Sequence, residues 1–205
     1  MLEAADLQCV RGDRVLFDHV SFSVQSGELL HVRGANGSGK TTMLRMVCGL
    51  VSPSSGEIRW RGQSARGLGD EFHKELLYLG HQAGIKAELT ALENLKFSSA
   101  VGGHALDTQT AVAALRQMGL KGREDLPSKV LSQGQQRRVA LARLLVSKAP
   151  LWVLDEPFTA LDVKAVAMLQ DVLAEHVAGG GIALITTHQD FTLNRGALRA
   201  LQLGA

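Results

Sequence analysis

Residues 34 to 42 read Gly34-Ala35-Asn36-Gly37-Ser38-Gly39-Lys40-Thr41-Thr42 and fill every fixed position of the pattern G-x-x-x-x-G-K-[ST]. The glycines let backbone approach phosphate oxygens with no Cβ in the way, and successive N–H groups point inward at the positive end of a helix dipole. Lys40 would reach the β- and γ-phosphates of a nucleotide, and the Thr41 hydroxyl would be a magnesium ligand. The flanks supply the context this loop needs. Glu28-Leu29-Leu30-His31-Val32 before it is an apolar-rich run suited to a buried strand, and Thr42 to Cys48 after it has helical spacing and stops at Gly49. The alternative, an ordinary Gly-rich turn, is disfavoured because four fixed positions are met in this setting.

Upstream, three runs have strand character: Leu2 to Val10, Val15 to Val24 and Glu28 to Val32, broken by the turn pairs Gly12-Asp13 and Ser26-Gly27. Downstream, Pro53 through Gly56 reads as a turn, Glu57 to Trp60 as a strand and 61 to 70 as loop. Leu76-Leu77-Tyr78-Leu79 reads as a buried strand running into Gly80-His81-Gln82. From Thr90 to about Gln117 the period is helical, interrupted at Gly102-Gly103, with Leu92, Leu95, Leu106, Leu115 and Met118 as expected core contacts. A helix capped by Ser132 follows over 130 to 146. The continuous apolar run Leu151-Trp152-Val153-Leu154 ends in Asp155-Glu156, the pattern of a central parallel strand whose carboxyl end faces a site. A helix from about Val163 to Val177 and a buried strand from Ile182 to Thr187 lead to His188. The expected fold is α/β: a phosphate-loop (RecA-like), mainly parallel core sheet with an N-terminal antiparallel β region and an inserted helical lobe. One domain over 1–205 is expected, its core about 1–86 and 150–205 and its lobe about 87–149.

Bulk properties narrow the function. A chain of 205 residues can bury one good core or one core with a small lobe. A formal net charge of +2 without a single-sign run, and 4% aromatic residues, give nucleic acid little to bind or stack on. Cys9 and Cys48 sit in apolar surroundings without C-x-x-C spacing, as reduced thiols do. Acids in the first six residues do not suit a secretory signal, and no run approaches about 18 apolar residues, so a cytosolic chain that does not span a membrane is expected.

Asp155 at a strand end can hold magnesium opposite Lys40 and Thr41, and Glu156 is the natural general base for water attacking a γ-phosphate. Gln82 can turn its amide oxygen to magnesium or to the attacking water. His188 can donate a hydrogen bond to a γ-phosphate oxygen, or be structural. The other histidines have no metal-ligand spacing and read as surface or core residues.

Taken in order, GANGSGKTT, Gln82, LSQGQ (Leu131 to Gln135), LWVLDEP, TALD (Thr159 to Asp162) and His188 resemble the nucleotide-binding domain of ATP-binding-cassette proteins over essentially the whole chain. LSQGQ is similar to that family's signature LSGGQ, with Gln133 where a glycine is usual. The resemblance implies that Ser132 and Gly134 of one subunit close over the γ-phosphate held by Lys40 of another, with Gln133 and Gln135 as further nucleotide-binding positions of the same motif. ATP and Mg2+ would be the cofactors, the chain would form a homodimer on binding ATP, and Asp162 would couple the two sites. Where many members stack adenine on an aromatic residue, this sequence has Val10 and Arg11. The Arg11 guanidinium can lie flat on the base, or Arg11 can be a plain surface residue.

LGHQAGIKAELTALENL (Leu79 to Leu95), LSQGQQRRVALARL and LDEPFTALD further resemble the ATP-binding subunit of the bacterial haem exporter of cytochrome c maturation. That resemblance implies integral membrane transporter subunits as partners, a peripheral place on the cytoplasmic face of the inner membrane, and no direct haem binding. Leu89, Leu92, Leu95 and Phe97 are expected either to floor a groove for a membrane subunit or to pack the lobe itself. A soluble cassette acting on DNA or ribosomes usually carries a coiled coil or a second cassette, and this chain has neither a heptad run nor a repeat. A nucleotide-binding module without turnover would not need Glu156.

Overall fold

The computed structural model describes residues 1–189 and 191–204. The chain divides into two compact units, one made of Met1–Tyr78, Ala149–Glu156 and the chain from Leu173 on, the other of Leu79–Lys148 and Pro157–Val172.

The first unit holds two sheets. In β1 (Leu2–Arg11) buried positions alternate with half-buried ones, apart from an irregularity at Ala5-Asp6 where the register to its neighbour shifts, the signature of a strand with one face on a core. It pairs antiparallel with β2 (Arg14–Val24) and with β4 (Ser55–Trp60), and β5 (Gln63–Ser64) completes the order β2-β1-β4-β5. The second sheet has the order β6-β7-β8-β3-β9, from β3 (Glu28–Arg33), β6 (Leu76–Leu79), β7 (Leu151–Asp155), β8 (Ile182–Thr186) and β9 (Ala197–Gln202). The pairs β7–β8, β8–β3 and β3–β9 are parallel. Every residue of β7 and β8 is buried, so these strands read as unbroken apolar runs rather than alternations. Helix α1 (Lys40–Val47) buries Met43, Leu44, Met46 and Val47 in the same core as Leu30, Val32, Val153 and Leu184.

Three expectations need correction here. The stretch 61 to 70 is not a loop: it contains β5, α2 (Ala65–Leu68) and the start of α3 (Asp70–Lys74). The turn after Pro53 is shorter than expected, because β4 already begins at Ser55. Strand β9 was not anticipated. Its residues are mostly exposed and show no alternation, and it forms because the free side of β3 offers a complete ladder of backbone partners from Glu28 to Arg33.

The second unit is helical, with α4 (Ala91–Val101), α5 (Thr108–Gln117) and α6 (Gln133–Val146) in mutual contact. A capping box of Thr90 and Glu93 starts α4, and Asp107 caps α5. Leu95, Leu115 and Met118 are core, as expected, whereas Leu92 and Leu106 are only half-buried. Asn94 takes a core position instead. Its amide nitrogen has the Lys86, Leu89 and Thr90 carbonyls and Ser128 Oγ within hydrogen-bond distance for its two N–H groups, and its oxygen accepts from Lys86 N, so this buried amide is fully used.

Candidate active site

The phosphate loop lies between β3 and α1, and α1 starts at Lys40 behind Gly39, whose φ of 95° is left-handed. A Cβ on Gly39 would stand 2.9 Å from the Phe17 ring, so β2 packs directly on the loop and admits only glycine there. No side chain caps α1, which leaves its first N–H groups for an anion. At the other end of the loop, Leu203 N donates to Arg33 O at 2.8 Å and ties the chain after β9 to the loop's entrance.

A cavity of about 390 Å³ opens on this loop, lined by Leu16, Asn36, Gly37, Gly39, Lys40, Thr41, Thr42, Asp155, Glu156 and His188. Three strand ends thus meet one loop: β3 delivers the loop, β7 delivers Asp155 and Glu156, and β8 delivers His188. Gly34, Ala35 and Ser38 serve the loop's own shape. Lys40 Nζ donates to Gly34 O at 2.7 Å and Ala35 O at 3.1 Å, and Ser38 N donates to Ala35 O at 3.2 Å. The Lys40 ammonium is therefore held over loop carbonyls, from which it can turn to phosphate oxygens.

Asp155 is 2% exposed. Register Asp155↔Thr186 sets it beside a threonine of β8, whose Oγ1 donates to Asp155 Oδ1 at 2.7 Å. The same Oγ1 accepts from Glu156 N at 3.0 Å, and Thr186 O accepts from that N–H at 3.1 Å. These bonds hold Glu156 at φ 49°, a left-handed conformation that costs a non-glycine residue about 1–3 kcal/mol. Glu156 Oε1 lies 3.6 Å from His188 Nε2, within ion-pair range when the ring is protonated. The carboxylate of Asp155 and the hydroxyls of Thr41 and Thr42 are hard oxygen donors, the set that magnesium takes alongside phosphate oxygens. Behind α1, burial and the Asp155 charge push the Cys48 thiol well above its usual range, so it stays neutral.

Two residues of this site were missed by sequence reasoning. Leu16 lines the cavity with an apolar surface, while exposed Arg11 at the end of β1 is not among the lining residues. Nothing in the sequence marks Leu16. Thr186 carried a faint signal, a hydroxyl inside an otherwise apolar buried strand.

The remaining expected residues belong to the second unit. Gln82 is exposed, just past the end of β6. Ser132 is the N-cap of α6, accepting from Gln135 N at 3.3 Å, while Gln135 Oε1 accepts from Ser132 N at 3.0 Å. Gln133 is exposed on the first turn. Gly134 packs on the segment before α7 (Val163–Ala178), where a Cβ would come 2.9 Å from Ala160 O. Asp162 caps α7 by accepting from Ala165 N at 2.9 Å and accepts from Arg138 Nη2 of α6 at 2.6 Å. The LSQGQ helix and the TALD segment are thus joined within this unit.

The sequence profile described as ABC transporter matches residues 17–159. The chain belongs to the ABC transporter family. It is 55% identical to the cytochrome c biogenesis ATP-binding export protein CcmA of Nitrosospira multiformis, over 98% of both chains. To the protein of the same name from Dechloromonas aromatica it is 53% identical over the full length of both. Among solved structures it is similar to a dimeric ATP-binding cassette in a post-hydrolysis state bound to ADP and phosphate, with a TM-score of 0.81 and 26% identity over 92% of this chain and 88% of that one. The fold is that of an ABC ATPase, with one parallel and one antiparallel sheet.

Proposed function

We propose that this ABC ATPase is the ATP-hydrolysing subunit of a membrane exporter that serves cytochrome c biogenesis, powering the delivery of haem across the inner membrane. The observation that carries the hydrolytic reading is the cavity that brings Lys40, Thr41, Asp155, Glu156 and His188 together. Identity of 53–55% along the whole chain to cytochrome c biogenesis export proteins supports the choice of exporter.

In this reading Lys40 and the loop N–H groups bind the β- and γ-phosphates of ATP. Thr41 and Asp155 would hold Mg2+, which when bound neutralises phosphate charge as it develops in the transition state, and Gln82 is proposed as a further ligand on its place in the sequence motif alone. Glu156, fixed through its backbone by Thr186, takes the proton of the attacking water. His188 donates to a γ-phosphate oxygen. Ser132 and Gly134 of a second copy would complete the anion cage from the N-terminus of α6, so the chain would work as an ATP-bound homodimer.

Among the described residues no helix is long and apolar enough to cross a membrane. Attachment to the cytoplasmic face of the inner membrane through integral membrane subunits is part of this reading. Phe97, 46% exposed on α4, with half-buried Leu89 and Leu92, suits such a contact, whereas Leu95 at 1% exposure belongs to the helical core. The test is complementation in cells lacking the exporter's own ATPase. The wild-type chain restores haem-stained c-type cytochromes and copurifies with membrane proteins in mild detergent, and Lys40→Ala restores none. Equal restoration by Lys40→Ala would contradict the reading.

A further inference from the structure

His31 lies on β3, three per cent exposed, in a core where an imidazole must satisfy both nitrogens. Arg33 Nε, which can only donate, points at His31 Nδ1 from 3.0 Å. The ring proton therefore sits on Nε2, which lies 3.1 Å from Thr187 O and donates to it. Strand β8 ends at Thr186, so Thr187 stands one residue beyond the ladder that aligns β8 with β3. The side chain of His31 thus supplies a bond just where strand pairing stops. Thr187 Oγ1 accepts from Gln189 N at 3.0 Å and starts the turn that carries His188. On the far side of His188, the Phe191 ring packs on His31 with centroids 5.3 Å apart and planes tilted by 55°.

We propose that His31 is a positioning residue for His188: it grips the chain on both sides of that histidine, at Thr187 and at Phe191, and fixes where the His188 ring meets the γ-phosphate. The same strand, β3, ends at Arg33, one residue before the phosphate loop. The inference rests on the reading of His188 as a γ-phosphate contact. It differs from a packing role in one respect, that His31 acts through His188 and through nothing else in the reaction.

Steady-state ATP hydrolysis by the full-length protein tests this. His31→Leu lowers kcat about tenfold with KM for ATP changed less than about twofold, as expected when an interaction made in the transition state is lost. His31→Gln, whose amide nitrogen reaches the place of Nε2 and can donate to Thr187 O, recovers kcat to within about threefold of wild type. In a His188→Ala background, itself slow, His31→Leu changes kcat by less than about twofold, because non-additivity marks residues that act as a unit. If His31→Leu does not fold, Arg33→Met at an exposed position carries the same test: by releasing the ring's tautomer it lowers kcat about threefold in the wild type and not in His188→Ala. Equal loss in both backgrounds, or a folded His31→Gln as slow as His31→Leu, overturns the inference while leaving the ATPase reading standing. Wild-type turnover in His188→Ala removes the role of His188 and this inference with it, and absence of ATPase in the wild-type chain overturns the functional reading itself.

Discussion

Thr186 and Asp155 stand side by side on neighbouring parallel strands, and the Thr186 hydroxyl donates to Asp155 Oδ1 across 2.7 Å while accepting from the backbone of Glu156. One side chain thereby orients both acids. Thr186→Val keeps the shape and removes both bonds. A hydrogen bond to a charged group is worth about 1.5–3 kcal/mol, so turnover is expected to fall roughly tenfold or more. Thr186→Ser keeps the hydroxyl and stays within about threefold of wild type. Phosphate release by the two variants, with melting temperatures to confirm folding, checks this.

The first turn of α6 separates two neighbouring residues. Gln133 is exposed, and Gln133→Gly leaves turnover within a few-fold of wild type. Gly134→Ala drives a Cβ to 2.9 Å from Ala160 O, a backbone atom that cannot swing aside. Overpacking of this kind costs about 1–3 kcal/mol, so Gly134→Ala lowers the melting temperature where Gln133→Gly does not. A large loss of activity in a folded Gln133→Gly would show that this side chain itself touches nucleotide or partner.

Acid sensitivity follows from four carboxylates of the helical unit. The Thr90 backbone N–H holds Glu93 below its ordinary value, the hydrogen bond to Thr110 does so for Asp107, the Arg116 guanidinium for Glu124, and the Ala165 N–H for Asp162. Each pKa is lower folded than unfolded, so the unfolded chain binds more protons near the carboxylate range. Their stabilisation is complete above that range, about pH 5, and is lost as pH falls through about 4 and below. Glu124→Gln flattens the fall of melting temperature between about pH 5 and pH 3. An unchanged slope would contradict the assignment.

Lys40 donates to Gly34 O and Ala35 O. Exchanging those neutral carbonyls for phosphate oxygens adds charge-assisted bonds, so Lys40→Ala weakens ATP binding by about a hundredfold. Titration with a fluorescent ATP analogue measures it, and an unaltered dissociation constant would show that the loop N–H groups alone bind the phosphates.

The phosphate loop was legible because its function is written in consecutive residues between a strand and a helix. The apolar run into Asp155-Glu156 was legible because a strand buried on both faces has a composition of its own. Segments 63–68 and 70–74 were not, since elements of two to five residues show no period and depend on single contacts such as Ser64 Oγ accepting from Gly67 N. Strand β9 owes its existence to the open side of β3, which no local pattern in 197–202 reports. His31 and Thr186 become meaningful only through strand register. A shift of one residue would turn Thr186 away from Asp155.

The role of Glu156 is the centre of the account, and the measurement that reaches it most directly is steady-state ATP hydrolysis by Glu156→Gln alongside its ATP binding and its elution on size exclusion with ATP. The variant keeps the side chain's size and loses the base. Turnover is expected to fall by about a hundredfold or more while ATP still binds and an ATP-bound dimer accumulates. Near-normal turnover in Glu156→Gln would contradict the account.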